Sequence, residues 1–245
     1  MKRRPEPEVM DIAAEAQAYA LADFADVNQK FVDRLLELVG PLEKVDALDL
    51  GTGPADIPIR LVRARPRWHV VAVDASQAML DVARKAVAKA GMSGRIELLL
   101  VDAKGTGLAS HAFDVIFSNS ILHHITDPAG AGFWAEIRRL ARPGAFVLLR
   151  DLARPESPEA ARAIVNQYAA TEPPLLQEEY YRSLLSAYTP DEVRAQLASA
   201  GLSSLQVAMT SDRHFDISGQ LDYPGSGLQN SKFPPVNHLG SGLNI

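Results

Sequence analysis

The sequence predicts an α/β fold built on a mostly parallel sheet. Three observations predict it. Short apolar runs recur through the middle of the chain, at Ala47–Leu50, Val70–Val73, Arg95–Val101, Phe113–Ser118 and Ala145–Leu149. Stretches with apolar residues at helical spacing separate them. The first run passes directly into Gly51-Thr52-Gly53, and the second ends on Asp74. Strands that alternate with helices imply right-handed crossovers and a sheet covered on both faces.

The elements follow in order. Glu8 to Val39 is Ala-rich and helical in period, read as two helices broken near Asp23–Asp26 and ended by Gly40-Pro41. The first strand is about Asp46–Leu50, and its helix runs from about Pro54 to Ala64. The second strand is about His69–Val73. Ser76 reads as the N-cap of a helix that stops at Gly91. A third strand precedes Asp102 and a fourth precedes Asn119. Asp127-Pro128 reads as cap and first turn of a helix ending near Arg142, and Ala145–Leu149 is the fifth strand. The alternation then breaks. Two helical stretches follow one another between Arg154 and Tyr188, the first starting at Ser157-Pro158 and separated from the second by Glu172-Pro173-Pro174. Thr189-Pro190-Asp191-Glu192 is a capping box for a helix ending at Gly201. Leu205–Met209 and Arg213–Ile217 read as a closing hairpin.

The expected organisation is therefore an N-terminal helical cap (1–40), a main domain (41–218) with a helical insert at about 154–188, and a Gly/Ser/Pro/Asn-rich irregular tail (219–245). A chain of 245 residues is ample for one such core. The net charge of −5 gives no reason to expect nucleic acid or an anionic membrane as partner. Lys2-Arg3-Arg4 is followed by Pro and Glu instead of an apolar run, so it does not read as a secretory signal, and no run approaches the length of a membrane span. No cysteine is present, which excludes disulfides, thiolate metal sites and cysteine nucleophiles, and makes a cytoplasmic address the default.

The glycine corner carries the chemistry. Gly51 and Gly53, without Cβ atoms, let the backbone bend sharply and approach a ligand, and the following helix offers unpaired N–H groups. A dinucleotide fingerprint requires a third glycine at position 56, where this chain has Asp56. Asp49 adds a second acid just before the turn. Two carboxylates repel a pyrophosphate and attract the α-ammonium of a methionine moiety. Asp74, roughly 20 residues on, suits ribose hydroxyls.

Taken with Asp102-Ala103, Asn119-Ser120-Ile121-Leu122-His123-His124 and Arg142-Pro143-Gly144 before the fifth strand, these motifs resemble the class I S-adenosylmethionine-dependent methyltransferases over about residues 45–151 and more loosely to about 218. The resemblance implies a Rossmann-like sheet of seven strands with helices on both faces, the last strand antiparallel and inserted in the sheet. It implies a helical lid from the N-terminus and from the insert after strand five. S-adenosylmethionine is the implied cofactor, with S-adenosylhomocysteine as product and no metal. The implied cofactor contacts are Asp49 and Gly51, Thr52 and Gly53 for the methionine end. Asp74 and Ala75 serve the ribose with Met79 packing nearby, Asp102 and Ala103 serve the adenine, and Asn119 and Ser120 lie beside the sulfonium. Asp and Asn are also common turn and cap residues, so each of these positions has a purely structural reading.

His123 and His124 follow the fourth strand, where a neutral imidazole can remove a proton from an acceptor. They equally suit a pocket floor. A metal site there would need Glu178 and Glu179 to fold over them. Asp151 closes the fifth strand beside Arg150, either within reach of the acceptor or in a surface salt bridge. Tyr19 and Phe24 are candidate caps on the cofactor pocket, and Tyr180 and Tyr181 candidate walls of the acceptor site; helix packing is the plainer alternative for each. The expected reaction is in-line methyl transfer to a small-molecule acceptor, carried mainly by positioning. A S-adenosylmethionine-binding regulator without turnover and an NAD-dependent oxidoreductase are the alternatives. The absence of Tyr-x-x-x-Lys and the Asp at 56 oppose the second.

Overall fold

The computed structural model describes residues 1–6, 19, 24–126 and 132–221. Seven strands form one sheet: β1 (Asp46–Leu50), β2 (His69–Asp74), β3 (Ile96–Leu100), β4 (Phe113–Asn119), β5 (Ala141–Leu152), β6 (Gln206–Met209) and β7 (His214–Gln220), in spatial order β3-β2-β1-β4-β5-β7-β6. β1 to β5 pair in parallel, and β7 lies antiparallel between β5 and β6. The order reverses between β1 and β4, so the carboxyl ends of those strands border the crevice where open α/β sheets bind ligands.

Period-two alternation splits the strands between two cores. Leu48, Leu50, Val71, Val73, Ile116, Val147 and Leu149 face one core. Ala47, Val70, Ala72, Val115, Phe117, Phe146 and Leu148 face the other. Helix α1 (Ala25–Val39) covers the second face with Phe31, Val32 and Leu35, joined by α2 (Asp56–Ala64) and α3 (Gln77–Lys89). Helix α4 (Phe133–Leu140) and a later helix, α7 (Pro190–Ser199), cover the first. Trp134 donates its indole N–H to Gln196 Oε1 at 3.2 Å and so ties α4 to α7. Between β5 and α7, α5 (Pro158–Tyr168) and α6 (Pro174–Ser186) build a small separate core with Leu152, Val165 and Leu184. The insert is thus a helical pair with its own packing.

The caps act as the sequence suggests. Ser76 accepts from Met79 N, Ser157 from Ala160 N, and Thr189 with Glu192 closes a complete capping box. Gly40 sits at φ 72° and Gly91 at φ 70°, past the ends of their helices. Helix α2 starts at Asp56 instead of Pro54, because Ala55 takes a left-handed conformation (φ 62°) as the turn is completed. β5 is longer than the expected Ala145–Leu149 at both ends, and α4 accordingly stops at Leu140 instead of near Arg142. At the C-terminal end Arg150, Asp151 and Leu152 pair with Asp216, Phe215 and His214 of β7; at the N-terminal end the cause is a bulge. Ala141 pairs with Phe113, the register then shifts, and Phe146 pairs with Val115, so Pro143 and Gly144 (φ 79°) are absorbed within the strand. Arg142 anchors the bulge by donating to Asp114 at 2.5 Å and Asp46 at 3.0 Å. β7 continues past Ile217 to Gln220, because Ser218, Gly219 and Gln220 pair with Leu148, Val147 and Phe146. The Asp127-Pro128 cap, most of the first N-terminal helix and the tail beyond Leu221 lie outside the described residues. Among the described residues no helix is long and apolar enough to cross a membrane.

Candidate active site

The glycine corner is closed by β2. Gly51 N and Thr52 N both donate to Val73 O at 2.9 Å, and Gly53 N donates to Asp74 Oδ2 at 2.8 Å. Ser76 N donates to the other oxygen, Asp74 Oδ1, at 2.8 Å. Asp74 is therefore fixed in orientation by backbone donors from both sides. Gly51 and Gly53 have φ of +73° and +52°. A Cβ at Gly51 would lie 2.7 Å from Ile121 Cδ1, so this glycine lets the loop after β4 close onto the turn. A Cβ at Gly53 would meet nothing within 4 Å, so that backbone borders open space.

Asp49 points into the same corner and is almost wholly buried (2 % exposed). Burial pushes its carboxyl up to about 7, with the charge of Asp74 acting in the same direction. Thr52 Oγ1 is buried beside it, outside strict hydrogen-bond geometry among the described residues but close enough to pull the Asp49 carboxyl partly back down. A hydroxyl and a desolvated carboxylate at one corner fit a ligand bearing an ammonium and a carboxylate. Met79 is buried on α3, Ala75 is exposed beside Asp74, and Ala103 is buried. Asp102 is exposed; Lys104 N donates to it at 2.8 Å and the Lys104 ammonium lies at 3.3 Å.

At the end of β4, Ser118 Oγ donates to Leu50 O at 2.6 Å and locks β4 to β1. Ser120 adopts φ 63° and donates its N–H to Arg150 O at 2.8 Å, which turns the chain across the sheet edge. Asn119 Nδ2 reaches Asn28 Oδ1 of α1 at 3.5 Å, and Asn28 Nδ2 donates to Asp56 Oδ2 at 2.9 Å. Asn28 therefore links the cap helix, the start of α2 and the end of β4. The amphipathic pattern of α1 did not single it out.

Tyr19 lies over this corner. Its phenol is pushed up to about 12, mainly by burial and further by the charges of Asp151 and Asp74, which it faces. Its ring contacts Phe24 with centroids 4.9 Å apart. The aromatic pair thus brings the Tyr19 phenol near two carboxylates, Asp74 of β2 and Asp151 of β5.

His123 and His124 lie in a single 3₁₀ turn, Leu122–His124. His123 is buried (4 %), and its Nδ1 bonds Asp151 Oδ1 at 2.6 Å. Asp151 also accepts Leu122 N at 2.5 Å and Leu152 N at 2.6 Å. Despite its own burial, its carboxyl is held below the usual range by the imidazole and these donors, and His123 is raised in turn by Asp151 and Glu6. Asp151 is therefore not in a surface salt bridge. Arg150 is not either: it forms a bidentate pair with Asp216 at 2.7 and 2.9 Å. Glu178 and Glu179 do not close on the histidines; they pair with Arg162 and Arg182. Glu6 stands there instead, 3.6 Å from His123 Nε2 and 3.5 Å from His124 Nδ1.

On the lid, Tyr181 stacks under Arg162 of α5, 3.7 Å from the guanidinium to the ring centroid, within the helix pair. Tyr180 is pushed up to about 12 by burial and faces Arg213 and Asp212. His214, the first residue of β7, pairs with Leu152 in register. Burial first, then Arg213, lowers it to about 4, so it is neutral at physiological pH, with Asp151 in its surroundings. Nothing in the local sequence marks His214; only the antiparallel return of β7 brings it to this edge.

A family model for a methyltransferase domain matches residues 47–144. The malonyl-[acyl-carrier protein] O-methyltransferase of Geobacter sulfurreducens is 30 % identical over 200 residues, covering 80 % of this chain and 68 % of that protein. The tuberculostearic acid methyltransferase of Mycobacterium tuberculosis is 26 % identical over 136 residues, 56 % of this chain and 31 % of that protein. A putative S-adenosyl-L-methionine-dependent methyltransferase from Methanococcus maripaludis has the same fold, with a TM-score of 0.69 at 19 % identity over 92 % of this chain and 99 % of that one. The chain belongs to the class I S-adenosylmethionine-dependent methyltransferases, a family whose cofactor is S-adenosylmethionine and which needs no metal. Its matches span 31 % of the Mycobacterium protein's length and 54 % of a ubiquinone/menaquinone biosynthesis C-methyltransferase from Dinoroseobacter shibae. Membership in this family sets aside the dinucleotide oxidoreductase reading.

Proposed function

We propose that this chain transfers a methyl group from S-adenosylmethionine to a small-molecule acceptor. The observation that carries the reading is the corner in which Asp74 holds Gly53 N while the buried Asp49 carboxyl and the buried Thr52 hydroxyl stand side by side. When bound there, S-adenosylmethionine supplies an electrophilic methyl on sulfur, whose C–S bond breaks as the bond to the acceptor forms.

The chain's own residues hold and orient. Asp49 takes the α-ammonium, and Thr52 Oγ donates to the carboxylate. Gly51 to Gly53 supply backbone at close range. Asp74 accepts from the ribose hydroxyls beside Ala75, and Met79 packs against the nucleoside. Asp102 and the Ala103 N–H receive the adenine edge. Asn119 and Ser120 border the sulfur. Tyr19 and Phe24 close over the top and exclude water. Such positioning can remove about 7–11 kcal/mol of a displacement barrier without a nucleophile on the protein.

The acceptor side lies beyond the ends of β4 and β5, between His124 and the Tyr180–His214 edge of the lid. His123 is committed to Asp151, so it holds the loop. His124, 22 % exposed at its side chain, borders the acceptor side. The relatives' names cover O-methyl and C-methyl acceptors, which supports a reading in which acceptor choice lies in the lid and not in the glycine corner. A cytoplasmic address completes the reading, in keeping with a chain that has no cysteine to oxidise.

Calorimetry with S-adenosylhomocysteine tests the site, and release of S-adenosylhomocysteine across a panel of hydroxyl, amine and carbon acceptors tests turnover. Binding without release over the whole panel favours the regulator reading. No heat on folded protein ends both.

A further inference from the structure

That reading gives the Glu6–His123–His124 cluster no part in the chemistry. Glu6 Oε1 lies 3.6 Å from His123 Nε2 and 3.5 Å from His124 Nδ1, and the three ligand atoms all fall within 4.8 Å of one another. The two Glu6 separations are those of loose ion pairs, at or beyond the outer limit of hydrogen bonding. They also match another geometry. With metal–ligand bonds of about 2.0–2.2 Å, two donors of a tetrahedral site stand about 3.4 Å apart.

The surroundings are those of a ligand set. His123 Nδ1 is held by Asp151 at 2.6 Å, which aims Nε2 at Glu6; a carboxylate behind a ligating imidazole fixes its tautomer and raises its basicity. Ser183 Oγ of α6 donates to Glu6 Oε1 at 3.1 Å. The Glu6 and His123 side chains are 7 % and 4 % exposed. Two buried carboxylates, Glu6 and Asp151, then balance one divalent charge with both imidazoles neutral. The segment that carries Glu6 is itself fastened in place. Arg3 donates to His123 O at 2.8 Å and Ile125 O at 3.1 Å, and its guanidinium lies 4.0 Å over the Tyr188 ring.

We infer that Glu6 Oε1, His123 Nε2 and His124 Nδ1 form a three-ligand site for a first-row divalent cation, with Zn²⁺ as the fitting ion. Two imidazoles and one carboxylate suit Zn²⁺ over Ca²⁺ or Mg²⁺, which take oxygen ligands. The ion fastens the N-terminal segment to the loop after β4. It is not a cofactor of methyl transfer, and its loss leaves the reading of the cofactor corner untouched.

The test uses full-length protein freed of metal by chelation. Zn²⁺ is titrated by calorimetry, and Co²⁺ is followed by its visible absorption, with Glu6→Gln and His124→Gln as ligand variants and Asp81→Asn on exposed α3 as control. One equivalent bound by the parent and the control, weakened ~10-fold or more in each ligand variant whose circular dichroism matches the parent, supports the site. Absence of Zn²⁺ heat and of Co²⁺ absorption with the parent overturns it, as does undiminished binding in both folded variants. Should the variants fail to fold, the parent alone decides: its thermal midpoint must rise with Zn²⁺ concentration, and an unchanged midpoint overturns the site.

Discussion

Asp74 at the end of β2 accepts the backbone N–H of Gly53 at 2.8 Å, across 21 positions of sequence. The same carboxylate therefore shapes the glycine turn and, in the proposed function, takes the ribose hydroxyls. Asp74→Ala removes an ionised acceptor from the turn and from the ligand together. Hydrogen bonds to charged groups are worth about 1.5–3 kcal/mol, so affinity for S-adenosylhomocysteine should fall at least tenfold while the fold survives. Calorimetry on the variant checks this, and a dissociation constant equal to the parent's would remove Asp74 from the cofactor site.

Asp49 gives the site a pH dependence. Its carboxyl titrates near 3.8 in the unfolded chain and is pushed up to about 7 in the fold. The native state thus holds a proton that the unfolded state has lost. This group's contribution to stability is complete below the unfolded value and is lost as pH rises towards about 7. A bound ammonium reverses the preference and favours the ionised form. Affinity for the cofactor should rise about tenfold from pH 6 to pH 8, with proton release on binding. Asp49→Asn should flatten both the stability slope and the affinity slope. Calorimetry in buffers of different ionisation enthalpy measures the released proton directly.

The two glycines of the corner should fail differently. Both sit at positive φ, so an alanine at either costs roughly 1–2 kcal/mol in backbone strain. At Gly51 the new Cβ also meets Ile121 Cδ1 at 2.7 Å, and the loss should appear in stability as the loop after β4 is pushed away. At Gly53 the methyl enters open space beside Asp74, and the loss should appear in cofactor affinity beyond any loss in stability. Urea denaturation and cofactor titration on the two variants separate the effects.

What the sequence could reveal was local. The strand endings Leu50, Asp74 and Asn119, the cap at Ser76 and the capping box at Thr189 depend on neighbours a few positions away, and pattern reading found them. The start of β5 was placed too late because Arg142-Pro143-Gly144 reads as the turn between a helix and a strand, and only pairing with β4 shows that a bulge absorbs it. The partners of the candidate site were illegible for a different reason. Asp151 meets His123 at a separation of 28 positions, and Asn28 meets Asn119 at 91. Glu6 comes from the opposite end of the chain, and His214 reaches the edge only through an antiparallel return. No periodicity encodes such contacts; they follow from how the layers stack.

The pair between β5 and β7 offers the clearest stability test. Arg150 and Asp216 stand opposite each other in the strand register, and their side chains are 11 % and 4 % exposed. The guanidinium donates to both carboxylate oxygens, at 2.7 and 2.9 Å. Removing one partner leaves a buried charge without its counterion, which costs about 3–5 kcal/mol. Asp216→Ala should therefore lower the urea midpoint sharply, since Arg34, 4.0 Å from the same carboxylate, is a second cation that loses its counter-charge. Replacing both residues together, Arg150→Met with Asp216→Leu, removes both charges and should recover most of that loss. The pair also bears on the site, since Arg150 O accepts Ser120 N at 2.8 Å and so positions the loop beside Asn119. Cofactor affinity in the double variant should stay within a few-fold of the parent, because that bond uses the backbone and not the side chain. Equal stability of the single Asp216 variant and the parent would mean that the buried pair contributes nothing to holding β7 against β5.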